Sequence, residues 1–282
     1  MKITLNNHNN QEYEALFDDL IKEVFGFSFK PWFEQELWDN RYESYSIIQD
    51  NKMLSNLCIY KTEMSSQGQR FQAIQLGAVC TRKSEQSKGL SRLLMEHVLN
   101  IYKNTPAFLF ANESVIDFYP RFGFRQVQTH RPVIKATKNN KRTTAVKLEA
   151  DDLAVRNAIY SRTGHSKILD CLDTDPIQVF HMLMSYPDDI YYLPTHDAII
   201  VAQKKDKNLF IADVITNKPI KFEKIKQELP FKDIETIEFG FCPDRLEITP
   251  TWEPIDMKEE MLFIKGDWNL PKTFRIPATS IT

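Results

Sequence analysis

A chain of 282 residues exceeds the usual size of a single domain, so two domains, each with its own core, are expected. With 42% apolar residues it reads as a soluble globular protein, and 36 basic against 38 acidic residues leave no electrostatic case for DNA, RNA or an anionic membrane as the main partner. No apolar run approaches the roughly 20 residues that span a bilayer. Met1 to Leu5 gives way at once to Asn6-Asn7-His8, unlike a signal peptide. Cys58, Cys80, Cys171 and Cys242 are scattered without metal or disulfide spacing, so no metal and a cytoplasmic home are expected.

In chain order, the alternation of Met1, Ile3 and Leu5 predicts an edge strand, and Tyr13, Leu16, Phe17, Leu20, Ile21 and Val24 recur at helical spacing. An aromatic cluster from Phe25 to Trp38 reads as core beneath that helix. Tyr45 to Ile48 and Leu54 to Tyr60 flank the turn-forming Asp50-Asn51-Lys52 and predict a hairpin. A central strand from Phe71 to Thr81 leads through a polar loop into a helix carrying Leu90, Leu93, Leu94, Val98 and Ile101. Gly89, at the start of that helix, removes a side chain where unpaired amides could receive phosphate. Ala107 to Ala111 predicts a buried strand parallel to the central one, with the intervening helix as its crossover. A short helix over Ser114 to Tyr119, ended by Pro120, and a strand from Phe124 to Gln128 complete the first half.

Lys138 to Thr144 reads as an exposed linker or hairpin tip. Beyond it the plan repeats. A strand is predicted over Ala145 to Leu148, helices over Asp151 to Arg162 and Asp175 to Leu183, and strands over Tyr191 to Leu193, Ala198 to Gln203 and Leu209 to Ile215. A helix over Ile220 to Leu229 and a strand over Ile234 to Phe241 follow.

Two blocks carry a resemblance. Gln86-Ser87-Lys88-Gly89-Leu90-Ser91 resembles the Gln/Arg-x-x-Gly-x-Gly/Ala pyrophosphate loop of the GNAT superfamily of acyl-CoA-dependent N-acyltransferases, with Ser91 replacing the final Gly or Ala. Asn112, then Tyr119, then Gly123-Phe124 resembles the family's Asn, Tyr and Gly-Phe at matching offsets. Together with Gly77 to Thr81 the chain is most similar to a bacterial branch with tandem acyltransferase-like domains. The fold implied is α/β, with two GNAT-like domains, each a mixed, mostly antiparallel central sheet flanked by helices. Residues 1–140 form the acyl-CoA-binding domain and residues 145–282 a degenerate one shaping the acceptor site. In the second half the corresponding turn, Thr216-Asn217-Lys218-Pro219-Ile220, has no glycine, and Pro219 removes an amide donor.

The resemblance implies acetyl-CoA as acyl donor. Its pantetheine arm would lie along the strand at Val79, Cys80 and Thr81, and its pyrophosphate on the amides of Gln86, Ser87, Lys88, Gly89, Leu90 and Ser91. Lys88 or Arg92 would meet phosphate charge, Asn112 would contact the coenzyme, and Tyr119 would act as general acid to the leaving thiolate. Trp32 and Trp38 border the acceptor region in that family, while Trp252 and Trp268 read as core or surface. Among Glu113, Asp117, His97 and His130 nothing distinguishes a general base, and Cys80 reads as a small apolar residue. The function implied is direct transfer of an acyl group, acetyl first, to a primary amine of a small molecule or protein. A coenzyme-A-binding sensor without turnover is the alternative. A dinucleotide-binding oxidoreductase is excluded because no Gly-x-Gly-x-x-Gly follows a first strand.

Overall fold

The computed structural model describes residues 2–137 and 143–282. In the first half, strand β1 (Ile3–Asn6) precedes helix α1 (Gln11–Phe25) and the single turn α2 (Lys30–Phe33). Strands β2 (Tyr42–Gln49), β3 (Lys52–Ser66) and β4 (Gln69–Thr81) follow, then helix α3 (Leu90–Ile101) and strands β5 (Ala107–Ala111), β6 (Arg125–Gln126) and β7 (His130–Lys135). The second half has β8 (Val146–Lys147), α4 (Leu153–Ser161), β9 (Leu169–Leu172), α5 (Asp175–Met184), β10 (Ile190–Leu193), β11 (Ala198–Lys205) and β12 (Asn208–Ile215). It ends with the turn α6 (Phe222–Ile225) and strands β13 (Thr236–Phe239), β14 (Thr251–Pro254) and β15 (Met261–Lys265).

Local chemistry accounts for these boundaries. The Asn10 side chain accepts from Tyr13 N at 3.1 Å and Glu14 Oε1 accepts from Asn10 N at 2.9 Å, a reciprocal cap that starts α1. Gly26, left-handed, ends it. The β2–β3 turn places Asp50 and Asn51 both at positive φ, the geometry that matches strand twist in a two-residue hairpin and that Asp and Asn tolerate.

Two mixed, mostly antiparallel sheets result. The first runs β1-β2-β3-β4-β5-β15-β6, with β9 beside the end of β3, and only β4 and β5 are parallel. The second runs β14-β7-β13-β12-β11-β10-β8, and only β12 and β13 are parallel. Along the main order the sheets correspond position for position, and each receives one interior strand from the other half. β15 inserts between β5 and β6, while β7 inserts between β13 and β14. The chain therefore enters the second sheet at His130, ahead of the expected boundary at 140, touches the first again through β9 at Leu169, and re-enters its interior at Met261.

The core ignores the boundary as well. Phe17, Trp32, Trp38 and Tyr42 pack in one cluster with Val155, Ile177, Met182 and Ile199 of the second half. Trp32 Nε1 donates to Pro176 O at 2.9 Å, and Arg41 reaches Asp175 at 2.6 Å. Trp268 packs edge-on against Phe71 and Phe108, closing the first sheet.

Several expected elements differ. The segment from Ser114 to Tyr119 is not a short helix but two 3₁₀ turns, at Glu113–Val115 and Tyr119–Phe122. Pro120 starts the second of them instead of ending a helix, its missing N–H costing nothing in a first turn. The strand over Phe124 to Gln128 shrinks to β6, and the helix over Ile220 to Leu229 to the single turn α6. Strands β7, β9, β14 and β15 have no counterpart in the sequence reading. The stretch from Lys138 to Arg142, read as linker, lies outside the described residues.

Candidate active site

Strand β4 organises the site through an irregularity. Asn56 pairs with Cys80, but Cys58 pairs with Gly77, so β4 carries one residue more than β3, and Ala78 adopts φ +47°. This β-bulge redirects the strand. On the other edge, β4 pairs with β5 only at Ile74–Ala107 and Gln75–Phe108, and pairing stops although β4 runs on to Thr81. Its main-chain groups there have no strand partner, a ready template for an extended ligand. Buried polar side chains hold the distortion. Asn56 Nδ2 donates to Ala78 O at 3.1 Å, and Ser55 Oγ donates to Cys80 O at 2.9 Å. Sequence reasoning passed over both, although Ser55-Asn56 inside an otherwise apolar buried strand was a readable signal.

The bulge also divides the faces. Val79 packs with Leu90, Leu94 and Val98 of α3, whereas Ala78 and Cys80 pack with the aromatic cluster of α1 and α2. Burial pushes the Cys80 thiol far above its ordinary value, which fits an inert apolar filler.

On the α3 face the polar loop opens onto a cleft of about 580 Å³ lined by Thr81, Gln86, Ser87, Gly89, Ser91 and Arg92 among others. Ser87 and Gly89 take φ +63° and +81°, and an added Cβ at Gly89 would meet nothing within 4 Å, so that glycine serves backbone conformation and faces open space. Leu93 N is the first α3 amide to find a main-chain partner inside the helix, at Gly89 O, leaving the preceding amides and the helix dipole toward the cleft. The Ser91 hydroxyl shares a hydrogen bond with Thr81 Oγ1 at 2.7 Å, and Thr81 shares another with Ser55. The residue that departs from the family pattern thus ties the helix start to β4 and β3. Lys88 pairs with Glu85 and Arg92 with Glu96 on the exposed rim. Arg82, unnoticed in the sequence, anchors the loop to α1 through Asp19 and Glu23.

Phe118, Arg121 and Phe122 form the far wall of the cleft. Tyr119 lies behind them, buried against Phe118, Phe124 and Phe263, and its hydroxyl has no hydrogen-bond partner among the described residues. Burial pushes its phenol up to about 12. Asn112 is exposed at the end of β5, its Oδ1 accepting from Ser114 Oγ. Glu113 and Asp117 are exposed. His97 sits exposed on α3 against Tyr45, and His130 lies on β7 in the second sheet.

On the opposite face a cavity of about 200 Å³ adjoins Ala78, walled by Phe25, Phe27, Phe29, Trp32 and Phe180. Trp32 is among its lining residues, whereas Trp38 is enclosed in the core. Thr282 forms part of its lining, and a Cβ at Gly77 would stand 2.6 Å from Thr282 Oγ1 and 2.9 Å from Thr282 Cβ. Only glycine at 77 lets the segment from Ala278 to Thr282 reach the bulge. Nothing in the sequence linked Phe180 or Thr282 to this place, since both arrive by tertiary packing.

The second half repeats the bulge. Val201 pairs with Asp213 and Ala202 with Ile211, leaving Ala212 as the extra residue of β12. Here the chain fills its own gap. Ala278 N donates to Gly240 O at 2.8 Å, and Thr279 Oγ1 donates to buried Asp213 at 2.8 Å. Arg162 and His165 bind the same carboxylate, at 2.7 and 3.2 Å.

A bulged central strand, splayed from its parallel neighbour beside the open start of a crossover helix, defines an acyltransferase-type α/β domain. Residues 6–127 match the family described as acetyltransferase (GNAT) domain. No curated protein matches the sequence. Among solved structures, a probable N-acyltransferase from Enterococcus faecalis superposes with TM-score 0.58 at 12% identity, over 93% of this chain and 72% of that one. Eis1 from Mycobacterium abscessus superposes with TM-score 0.58 at 15% identity, over 94% of this chain and 73% of that one. A putative acetyltransferase from Pyrococcus horikoshii gives TM-score 0.52 at 12% identity, over 99% and 96%. These likenesses establish the fold, two mostly antiparallel sheets flanked by helices.

Proposed function

We propose that the protein transfers an acetyl group from acetyl-CoA directly to a primary amine, with the donor on the α3 face and the acceptor on the aromatic face of β4. The observation that supports this most is the β4 bulge between two cavities on opposite faces, beside a strand edge left without a partner. Acetyl-CoA supplies an activated thioester when bound. Gln86, Ser87, Lys88, Gly89, Leu90 and Ser91 fit its pyrophosphate, since their loop opens at a helix start with unpaired amides and room above Gly89. Val79, Cys80 and Thr81 offer main-chain groups to the pantetheine arm, Arg92 lines the cleft, and Asn112, at the end of β5, is assigned a coenzyme contact by the family pattern alone. Main-chain N–H groups near the bulge are suited to the oxygen that gains charge as the amine adds. Tyr119, protonated throughout the neutral range, donates a proton to the departing sulfur. One donor site per chain is part of the reading, because the matching gap in the second half is filled from within.

Calorimetry with acetyl-CoA tests it. One site per chain is expected, weakened at least tenfold in Gly89→Val, where a β-branched residue is forced to positive φ. Absence of binding by folded protein, or two equal sites, would overturn it.

A further inference from the structure

The cavity on the aromatic face has a composition that selects its occupant. Its walls come from α1 and the segment after it, from α2 and from α5, and among its described lining residues there is no Asp, Glu, His, Lys or Arg. Phe29 packs on Phe180 at 4.8 Å and on Phe27 at 5.4 Å between ring centroids, and Phe25 and Phe27 remain partly exposed at the rim. The polar atoms of the lining are mostly committed. Trp32 Nε1 is held by Pro176 O, and the Tyr42 hydroxyl faces Cys58. Thr282 Oγ1 is different: it is buried, has no hydrogen-bond partner among the described residues, and lies against Gly77 next to the bulge. A polycationic amine entering here would find no charged side chain in the lining to pair with its second charge, at a heavy desolvation cost. An amine with a single nitrogen and an apolar body meets no such cost, and burial favours its neutral, nucleophilic form. A cavity of roughly 150 Å³ takes benzene, so one of about 200 Å³ suits a single ring on a short linker.

Resting on the acyl-transfer reading above, we propose that the acceptor is an arylalkyl monoamine. Its ring lies among Phe27, Phe29, Trp32 and Phe180, and its nitrogen donates to Thr282 Oγ1 beside Ala78.

The test is steady-state thiol release from acetyl-CoA with 2-phenylethylamine, spermidine and a lysyl peptide as acceptors, with acetyl-CoA affinity measured in parallel. Phenylethylamine should exceed both others in kcat/KM by about tenfold or more, the scale expected for burying one ring. Phe180→Ala should raise KM for phenylethylamine by a similar factor while leaving acetyl-CoA affinity unchanged. Phe27→Ser, at the exposed rim, provides the same readout should Phe180→Ala fail to fold. Turnover of spermidine or the peptide in preference to phenylethylamine would overturn this proposal alone. Failure to bind acetyl-CoA, or binding without turnover of any amine, would overturn the acyl-transfer reading with it.

Discussion

Tyr119 shows how far a single residue can be read. Its place seven residues after Asn112 and four before Gly123 marked it in the sequence, and the fold buries it with a free hydroxyl and a phenol pushed up to about 12. As proton donor it should contribute on the general-acid scale, so Tyr119→Phe is expected to lower kcat roughly 10²-fold or more with acetyl-CoA affinity retained. Unchanged kcat would remove Tyr119 from the chemistry. Ser91 carries the opposite lesson. A departure from the family's Gly or Ala looked like a change in loop tightness, yet its hydroxyl joins Thr81 and Ser55 in a chain that fastens α3 to the sheet.

At the scale of elements, β4 and β12 share a bulge but differ in what lies beside it. Around β12, buried Asp213 gathers Arg162, His165 and Thr279, and His165 also contacts Asp170 at 3.0 Å. Burial and Arg162 oppose protonation of His165, but Asp213 and Asp170 outweigh them and raise its pKa above the ordinary 6.5. A raised folded pKa means that the imidazolium's contribution is complete below 6.5 and is lost as pH rises through the higher value. Urea midpoints should therefore fall as pH is taken upward from about 6. In His165→Gln that dependence should disappear, with about 3 kcal/mol lost at the acid end. A wild-type midpoint that is flat or rises over this range would refute the assignment. The same cluster fixes the segment that carries Thr282 to β4, since Thr279 is held at Asp213, and Ile281 O faces His181 Nε2 at 2.6 Å.

The whole molecule is a reciprocal exchange. Each sheet lacks one interior strand unless the other half supplies it, and the α1–α2 aromatic segment packs directly on α5. Neither half can complete its sheet alone, so calorimetric unfolding should show a single cooperative transition with agreeing calorimetric and van't Hoff enthalpies. Two separable transitions would show that the halves are energetically independent. The exchange also explains why the aromatic cavity spans both halves: α5 is held against β3 and α2 by Arg41, Tyr60 and Trp32.

Local information determined much of this protein. The period of α1 and α3, the Asp50-Asn51 turn and the loop from Gln86 to Ser91 depend on neighbours within a few residues, and the parallel pair β4 and β5 follows from the crossover helix between them; each was legible in the chain. Only tertiary structure decided which strands complete which sheet, because β7, β14 and β15 find partners far away in sequence and carry no local mark of them. It also decided the aromatic face of β4. Phe180 and Thr282 reach Ala78 through packing across the whole chain, and the β4 bulge depends on Asn56 of the neighbouring strand. Short-range periodicity records which residues are buried, whereas the identity of what they are buried against is set by contacts between distant segments.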